Sequence, residues 1–412
     1  DNYCLRPQPA MGPRHNQANA ENLAWSVDVQ LPLATSELKL GVDGNDQSHN
    51  SVVTNPENSH FKINNFVDSE RDSLGAFAEF NGNHDKWNYQ VGYRHNRIEL
   101  NSDEVGAMMG HMHMSDMHDA MSAMQTKPCE GMQSCATQLS DAFNQSDRSI
   151  NFNTNNLVIN LNRALNKGTV LTIDLGIKQR APFYRETFLW LPMSITGGLA
   201  DGRNYTGNLA LKPETSREIN LGLNKKTNNF TIQPQVFYRS IDNYIQGVPS
   251  NNSIANQFSQ DMSNMHHGMN HMGHNDKNNA LIYSNTNAEI YGLDTNWNLS
   301  INNQWSANGV VSYVRGKRTD IKDNLYRIAP TNARISVNYQ AAQSPLEVSV
   351  ESIIYARQKH VASYADESQT AGYGVINLSA QWTLNNQLQV RSGITNLFDR
   401  FYANHLNSVN RN

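Results

Sequence analysis

The sequence predicts an all-β protein, a transmembrane antiparallel β-barrel, and three observations carry that expectation. Apolar and polar residues alternate with a period of two through segments of roughly ten residues separated by turn residues. No run of about 18 apolar residues occurs that could form a transmembrane helix. The polarity comes from uncharged side chains, Asn above all: charged residues are only 17% of the 412, yet mean hydropathy is −0.62. Strands that set one face against lipid and the other against a wet lumen produce this profile.

The strand segments show the alternation in order. Leu171, Ile173, Leu175 and Ile177 are apolar, interleaved with Val170, Thr172 and Asp174. Ile219, Leu221 and Leu223 alternate with Asn220, Gly222 and Asn224. In Leu293 to Ile301 the odd positions are mostly apolar, and Asp294, Asn296, Asn298 and Ser300 are polar. Ile376, Leu378, Ala380, Trp382 and Leu384 interleave with Asn377, Ser379, Gln381 and Thr383. Successive side chains of a strand point to opposite faces, so each segment has one apolar and one polar face. About fourteen to sixteen such segments are countable.

Connections differ in length at the two strand ends. Lys225 to Asn229, Asn302-Asn303 and Asn385-Asn386 are tight turns, whereas residues 101–149 and 249–279 are long and irregular. Outer-membrane barrels have this asymmetry, with periplasmic turns and extracellular loops. Trp25, Trp87, Tyr89, Trp297, Trp305, Tyr339 and Trp382 suit interfacial girdles in contact with outer-membrane lipid. A β-sandwich also alternates, but so many consecutive strands without helices rarely build one. In lipid the barrel must close, because an open edge leaves backbone groups unpaired.

The balance of 33 Lys+Arg against 37 Asp+Glu argues against nucleic-acid binding. No Ser-His-Asp or Cys-His grouping, Gly-rich phosphate loop or spaced carboxylate pair stands out, so no enzyme and no organic cofactor is expected. Cys129 and Cys135, six apart around Pro128 and Gly131, are close enough for a disulfide in an oxidising compartment. Cys4 is left over. Asp1 follows no initiator Met or signal peptide and the end is polar, so the expectation is a fragment of a longer exported protein.

The clearest chemical signal is compositional. Residues 108–132 and 262–274 hold twelve of the fourteen Met and seven of the fourteen His. The first stretch supplies Met108, Met109, His111, Met112, His113, Met114, Met117, His118, Met121, Met124 and Met132. The second supplies Met262, Met265, His266, His267, Met269, His271, Met272 and His274. Thioether sulfur favours Cu(I), and imidazole suits copper in either oxidation state as well as zinc. The mixture points to copper, with silver as its mimic; Asp116, Asp119 and Glu130 leave zinc open. Met114, Met117, Met121 and Met124 are spaced three, four, three, and Met262, Met265, Met269 and Met272 repeat it. On a helix each set forms a stripe, although Gly268 and Gly273 oppose a firm helix in the second loop. His49, His60, His84, His95, His360, His405 and the pair Met11 and His15 are expected to be ordinary loop or lumen residues.

Four further marks carry a family resemblance: Arg180-Ala181-Pro182-Phe183-Tyr184-Arg185-Glu186-Thr187-Phe188, Leu211-Lys212-Pro213-Glu214 through Leu223, Tyr283 to Asp294, and Gly393-Ile394-Thr395-Asn396-Leu397-Phe398-Asp399-Arg400-Phe401-Tyr402. In this order they resemble the barrel of TonB-dependent outer-membrane receptors, and with the Met/His loops the copper receptor branch. The resemblance implies a 22-stranded barrel, an N-terminal plug, energy from the TonB complex, and an outer-membrane location. Against that pattern, residues 1–412 correspond to a partial barrel, with plug, TonB box and last strand not recognisable. In the copper branch a Cys/Met pair from the plug side and a His-x-Met pair from the barrel hold metal jointly. His267-Gly268-Met269 has the second form, while Cys129 and Met132 have a different spacing and take no such role. The competing readings are a siderophore or other metal-chelate receptor, zinc included, and a passive surface metal sink or phage-attachment protein.

Overall fold

The computed structural model describes residues 14–109, 127–193, 201, 203–266 and 279–407. Seventeen strands form one sheet. The first seven are β1 (His15–Leu33), β2 (Ser36–Asn55), β3 (Asn58–His84), β4 (Trp87–Asn101), β5 (Gly106–Met109), β6 (Ile150–Asn166) and β7 (Thr169–Arg180). Then come β8 (Tyr205–Thr206), β9 (Glu214–Lys226), β10 (Phe230–Pro249), β11 (Leu281–Ser300) and β12 (Trp305–Arg318). The last are β13 (Asp323–Asn324), β14 (Asn332–Gln340), β15 (Leu346–Tyr355), β16 (Tyr373–Asn385) and β17 (Leu388–Ile394). Three are short (β5, β8 and β13), which leaves 17 − 3 = 14 wall strands. Each wall strand pairs antiparallel with the next wall strand along the chain, in an unbroken meander from β1 to β17. Among the described residues no helix is long and apolar enough to cross a membrane.

The register turns the sequence alternation into two faces. Ile173, Leu221, Val236, Leu293 and Tyr313 lie directly opposite one another across β7, β9, β10, β11 and β12. One residue along, Thr172, Gly222, Gln235, Asp294 and Ser312 form a parallel row on the other face. The first row belongs to the lipid-facing belt, where Leu221, Val236 and Tyr313 are exposed. The second faces the lumen. A one-residue slip would exchange the faces, so the belt itself fixes the register.

Short turns gather at one end of the wall, where Trp305 and Tyr339 pack with ring centroids 4.8 Å apart and Arg163 sits 5.1 Å over Trp87. Trp25 departs from the expected girdle. It lies in the middle of β1 opposite Gly44, whose own Cβ would come within 2.5 Å of the indole. Glycine there lets the ring lie flat across the neighbouring strand.

The other end departs more from expectation. In their described parts the connections 101–149 and 249–279 are not irregular: the first holds β5 and helix α1 (Gly131–Asn144). A short helix, α2 (Tyr184–Phe188), follows β7, and α3 (Ser253–His266) occupies the first part of the second long loop. These elements, with the loop-side ends of the wall strands, bury one continuous apolar core.

The two faces give a direct test. Val236→Arg puts a charge on the lipid belt and is expected to cost about 2–4 kcal/mol if the site is near the bilayer midplane. Gln235→Arg, one residue away on the lumen face, should be nearly neutral. Urea titration of refolding into lipid vesicles, read by heat-modifiable gel mobility, distinguishes the two.

Candidate metal-capture site

The apolar stripe Met132, Cys135, Ala136, Leu139 and Phe143 gives α1 its buried face, with the i, i+3, i+4, i+7 spacing of an amphipathic helix. In α3 the inward residues are Ala255, Phe258 and Met262, with Ile254 packed beside them. The Asn252 side chain caps α3 by accepting from the Ile254 and Ala255 N–H groups at 3.0 and 3.1 Å. At the far end of α1, the Arg148 guanidinium donates to the Phe143 carbonyl at 3.3 Å and to Ser102 O at 3.1 Å. The two helices pack against each other in the shared core.

Each helix holds both borders of one Met/His tract. Residues 110–126 run between Met109 and Lys127. The Met109 N–H donates to Gln133 Oε1 at 2.7 Å, and Gln133 Nε2 donates to Ala107 O at 2.9 Å, so α1 clamps the entry. The exit is tied to α1 by the Cys129–Cys135 disulfide, with Cα atoms 5.2 Å apart. Residues 267–278 run between the C-terminal end of α3 and Asn279. Gln260 Nε2 donates to Asn279 Oδ1 at 2.8 Å and the Ala280 N–H donates to Asn256 Oδ1 at 3.1 Å, so α3 holds that exit too. Burial pushes the Asp261 carboxyl up, opposed by the 2.8 Å hydrogen bond from Gln257 and by the charge of Lys127. Lys127, which borders the first tract, is within electrostatic reach of Asp261 in α3.

Among the expected metal residues, Met108 is exposed at the end of β5, whereas Met109 and Met262 are 1% and 3% exposed in the apolar core. Met265 and His266 belong to the last turn of α3. His111, Met112, His113, Met114, Met117, His118, Met121, Met124, His267, Met269, His271, Met272, His274 and Cys4 lie outside the described residues. Among the described residues no group of three or more His, Cys, Asp or Glu could hold a metal ion.

Buried polar contacts brace the loops further. The Arg180 guanidinium donates to Glu186 at 2.7 Å and to Glu214 at 2.8 Å. Tyr205, stacked on Tyr283 at 5.3 Å, donates to Asp201 at 2.5 Å, and Asn204 Nδ2 donates to Ser259 Oγ of α3 at 2.8 Å. His405, expected to be ordinary, is almost fully buried, with Nε2 3.1 Å from Glu367 and Nδ1 3.1 Å from Thr370. Arg180 and Glu214, Tyr205 and Tyr283, Asn204 and Ser259, and His405 and Glu367 are far apart in sequence, so those pairs were not legible. The α1 stripe and the Asn252 cap are the signals that could have marked helices inside the loops read as irregular.

A meander wall with turns at one end and a folded loop layer at the other defines a receptor-type barrel of the outer membrane. Residues 5–397 match the family described as TonB dependent receptor-like, beta-barrel, and the chain belongs to that family. The fold is similar to the copper transporter OprC, with a TM-score of 0.70 at 18% identity, over 99% of this chain and 57% of that one. It is similar to the FrpB iron transporter from Neisseria meningitidis, with a TM-score of 0.61 at 13% identity, over 96% and 53%. In sequence it is 30% identical to the ferric enterobactin receptor PirA of Pseudomonas aeruginosa over 133 residues, 30% of this chain and 18% of that protein. The chain thus spans well under two thirds of these relatives.

Asp261 supplies a pH test of the helix pair. A carboxyl whose folded pKa is raised binds its proton more tightly folded than unfolded, so its contribution to stability falls as pH rises from the ordinary carboxylate value through the raised one. Asp261→Asn keeps the Gln257 acceptor and removes that loss. At neutral pH the variant should slow amide exchange in α3 relative to the native protein, and the difference should vanish well below the ordinary carboxylate pKa, as read by hydrogen-exchange mass spectrometry.

Proposed function

We propose that the chain is the barrel of a TonB-energised outer-membrane transporter that captures copper at the cell surface through its two Met/His tracts and passes it to the periplasm. The observation that carries this reading is the pairing of α1 with α3, which holds the borders of both tracts together. The described borders of two tracts rich in thioether and imidazole then stand on one pair of packed helices, and donors of that kind suit a soft cation that gains from several weak neutral ligands. Met ligands release no proton on binding, so capture would persist at mildly acid pH where His weakens. The fold similarity to a copper transporter supports the same cargo.

In this reading Met108, Met112, Met114, Met117, Met121, Met124, Met265, Met269 and Met272 are the Cu(I) donors. His111, His113, His118, His266, His267, His271 and His274 take Cu(II) or assist. Met109 and Met262 hold the tract borders in the core. A siderophore or other metal-chelate cargo is the second reading, favoured by the sequence similarity to a ferric enterobactin receptor.

Replacing Met112, Met114, Met117, Met121, Met124, Met269 and Met272 with Leu should lower copper bound per protein by more than about tenfold, with gel mobility of the folded barrel unchanged. Elemental analysis of protein purified from copper-supplemented cells reads the outcome. Copper content equal to the native protein would sink the metal-tract reading, and binding of a ferric chelate by the same variant would support the second.

A further inference from the structure

We propose that the loop layer carries a second ligand site, independent of the metal tracts, in which Arg203 and Arg327 bind a small hydroxy-carboxylate. A cavity of about 260 Å³ opens among the segment before β8, the β12–β14 connection, the β15–β16 connection and the residues that follow β17. Its lining includes Arg203, Arg327, Asp366, Ser368, Thr370 and Asn404.

The two guanidiniums spend their hydrogen bonds on main-chain carbonyls rather than carboxylates. Arg203 Nη1 donates to Ala365 O at 2.7 Å and Arg327 Nη2 donates to Leu406 O at 2.6 Å. The Arg203 Nε is buried without a hydrogen-bond partner. A desolvated donor left unmatched is costly, and a guanidinium has a planar fork that matches a carboxylate. Both charges lie near Tyr326: burial and Asp201 push its phenol up to about 12 against their pull.

The acids in the lining are largely committed. Asp201 Oδ2 accepts from Tyr205 and from Tyr326, the latter at 3.2 Å, and Asp201 Oδ1 accepts from the Arg203 N–H at 3.0 Å. Glu367 Oε1 accepts from the Arg327 N–H at 2.9 Å and faces His405 Nε2, while its Oε2 accepts from the Ala362 N–H at 2.7 Å. Asp366 is exposed, in the left-handed conformation at φ 51°. The cavity therefore offers guanidinium and hydroxyl donors beside a carboxylate acceptor. A bare anion would meet repulsion from that carboxylate. An acid bearing a hydroxyl group gives Asp366 a donor and the arginines an oxyanion, and a cavity of this volume admits a small acid rather than a glycolipid headgroup.

Calorimetric titration of the detergent-solubilised protein with L-malate and with succinate, which lacks the hydroxyl, tests this. Malate should bind, and succinate should bind about fivefold or more weakly; Arg203→Gln and Arg327→Gln should each weaken malate about tenfold. Asp366→Asn keeps an acceptor, tolerates the backbone conformation and removes the repulsion, so it should tighten succinate; a merely structural role for these residues predicts no such gain. Where Arg203→Gln fails to fold, Arg203→Lys and Arg327→Gln carry the test, the first retaining binding and the second losing it. No malate binding at millimolar concentration, or equal affinity in folded Arg→Gln variants, overturns the proposal.

Discussion

Lipid offers a peptide group nothing to hydrogen-bond, so a wall inside it must pair its N–H and C=O groups across strands. Much else in this protein follows from that constraint. Sequential antiparallel pairing needs only tight turns at one end, and it fixes a period of two that divides each strand between oil and water. The water side is where the Asn-rich composition goes. Charges on that side are matched across strands: Lys39 with Asp28 at 3.4 Å, Arg94 with Asp43 at 2.5 Å, Lys178 with Glu218 at 2.9 Å and Arg334 with Glu351 at 3.3 Å. Such half-exposed pairs add little stability. They leave an inner wall with weak net fields and many amide and hydroxyl groups.

Above the membrane the constraint is lifted and ordinary globular packing takes over. Water can satisfy loose backbone there, so the long connections were free to stay irregular. Instead they bury Phe188, Leu189, Leu191, Tyr205, Phe258 and Leu281 almost completely. The helices α1 and α3 stand on that core, and it gives the mouth of the barrel a fixed shape. The disulfide, the Gln133 clamp and the Gln260–Asn279 and Asn256–Ala280 contacts act at the borders of the two Met/His tracts.

The wall was legible from sequence because lipid imposes one rule on each strand. The alternation in Val170 to Ile177, Ile219 to Leu223, Leu293 to Ser300 and Ile376 to Leu384 became β7, β9, β11 and β16, with one register irregularity, after Thr383 in β16. The loop layer was less legible because its rules are local and mixed. The 3.6-residue stripe of α1 begins inside a Met-dense stretch, where composition masked periodicity, and α3 ends before the glycines that argued against a helix. Trp25 was misplaced because its partner Gly44 sits on another strand. The contacts of Tyr205, Asp201, Tyr326, Glu367 and His405 join residues up to 125 apart, and no spacing rule reaches that far.

The distribution of sulfur has a consequence for traffic. Each methionine and cysteine among the described residues lies in the loop layer, and the fourteen wall strands contain neither. To a soft cation the wall strands offer no thioether or thiolate, only oxygen donors and the scattered imidazoles of His15, His49, His60, His84 and His95. Among the described residues sulfur is thereby confined to one storey of the molecule. Under the proposed copper reading, capture would rest on the upper storey, and the lower one would add no sulfur trap along the wall.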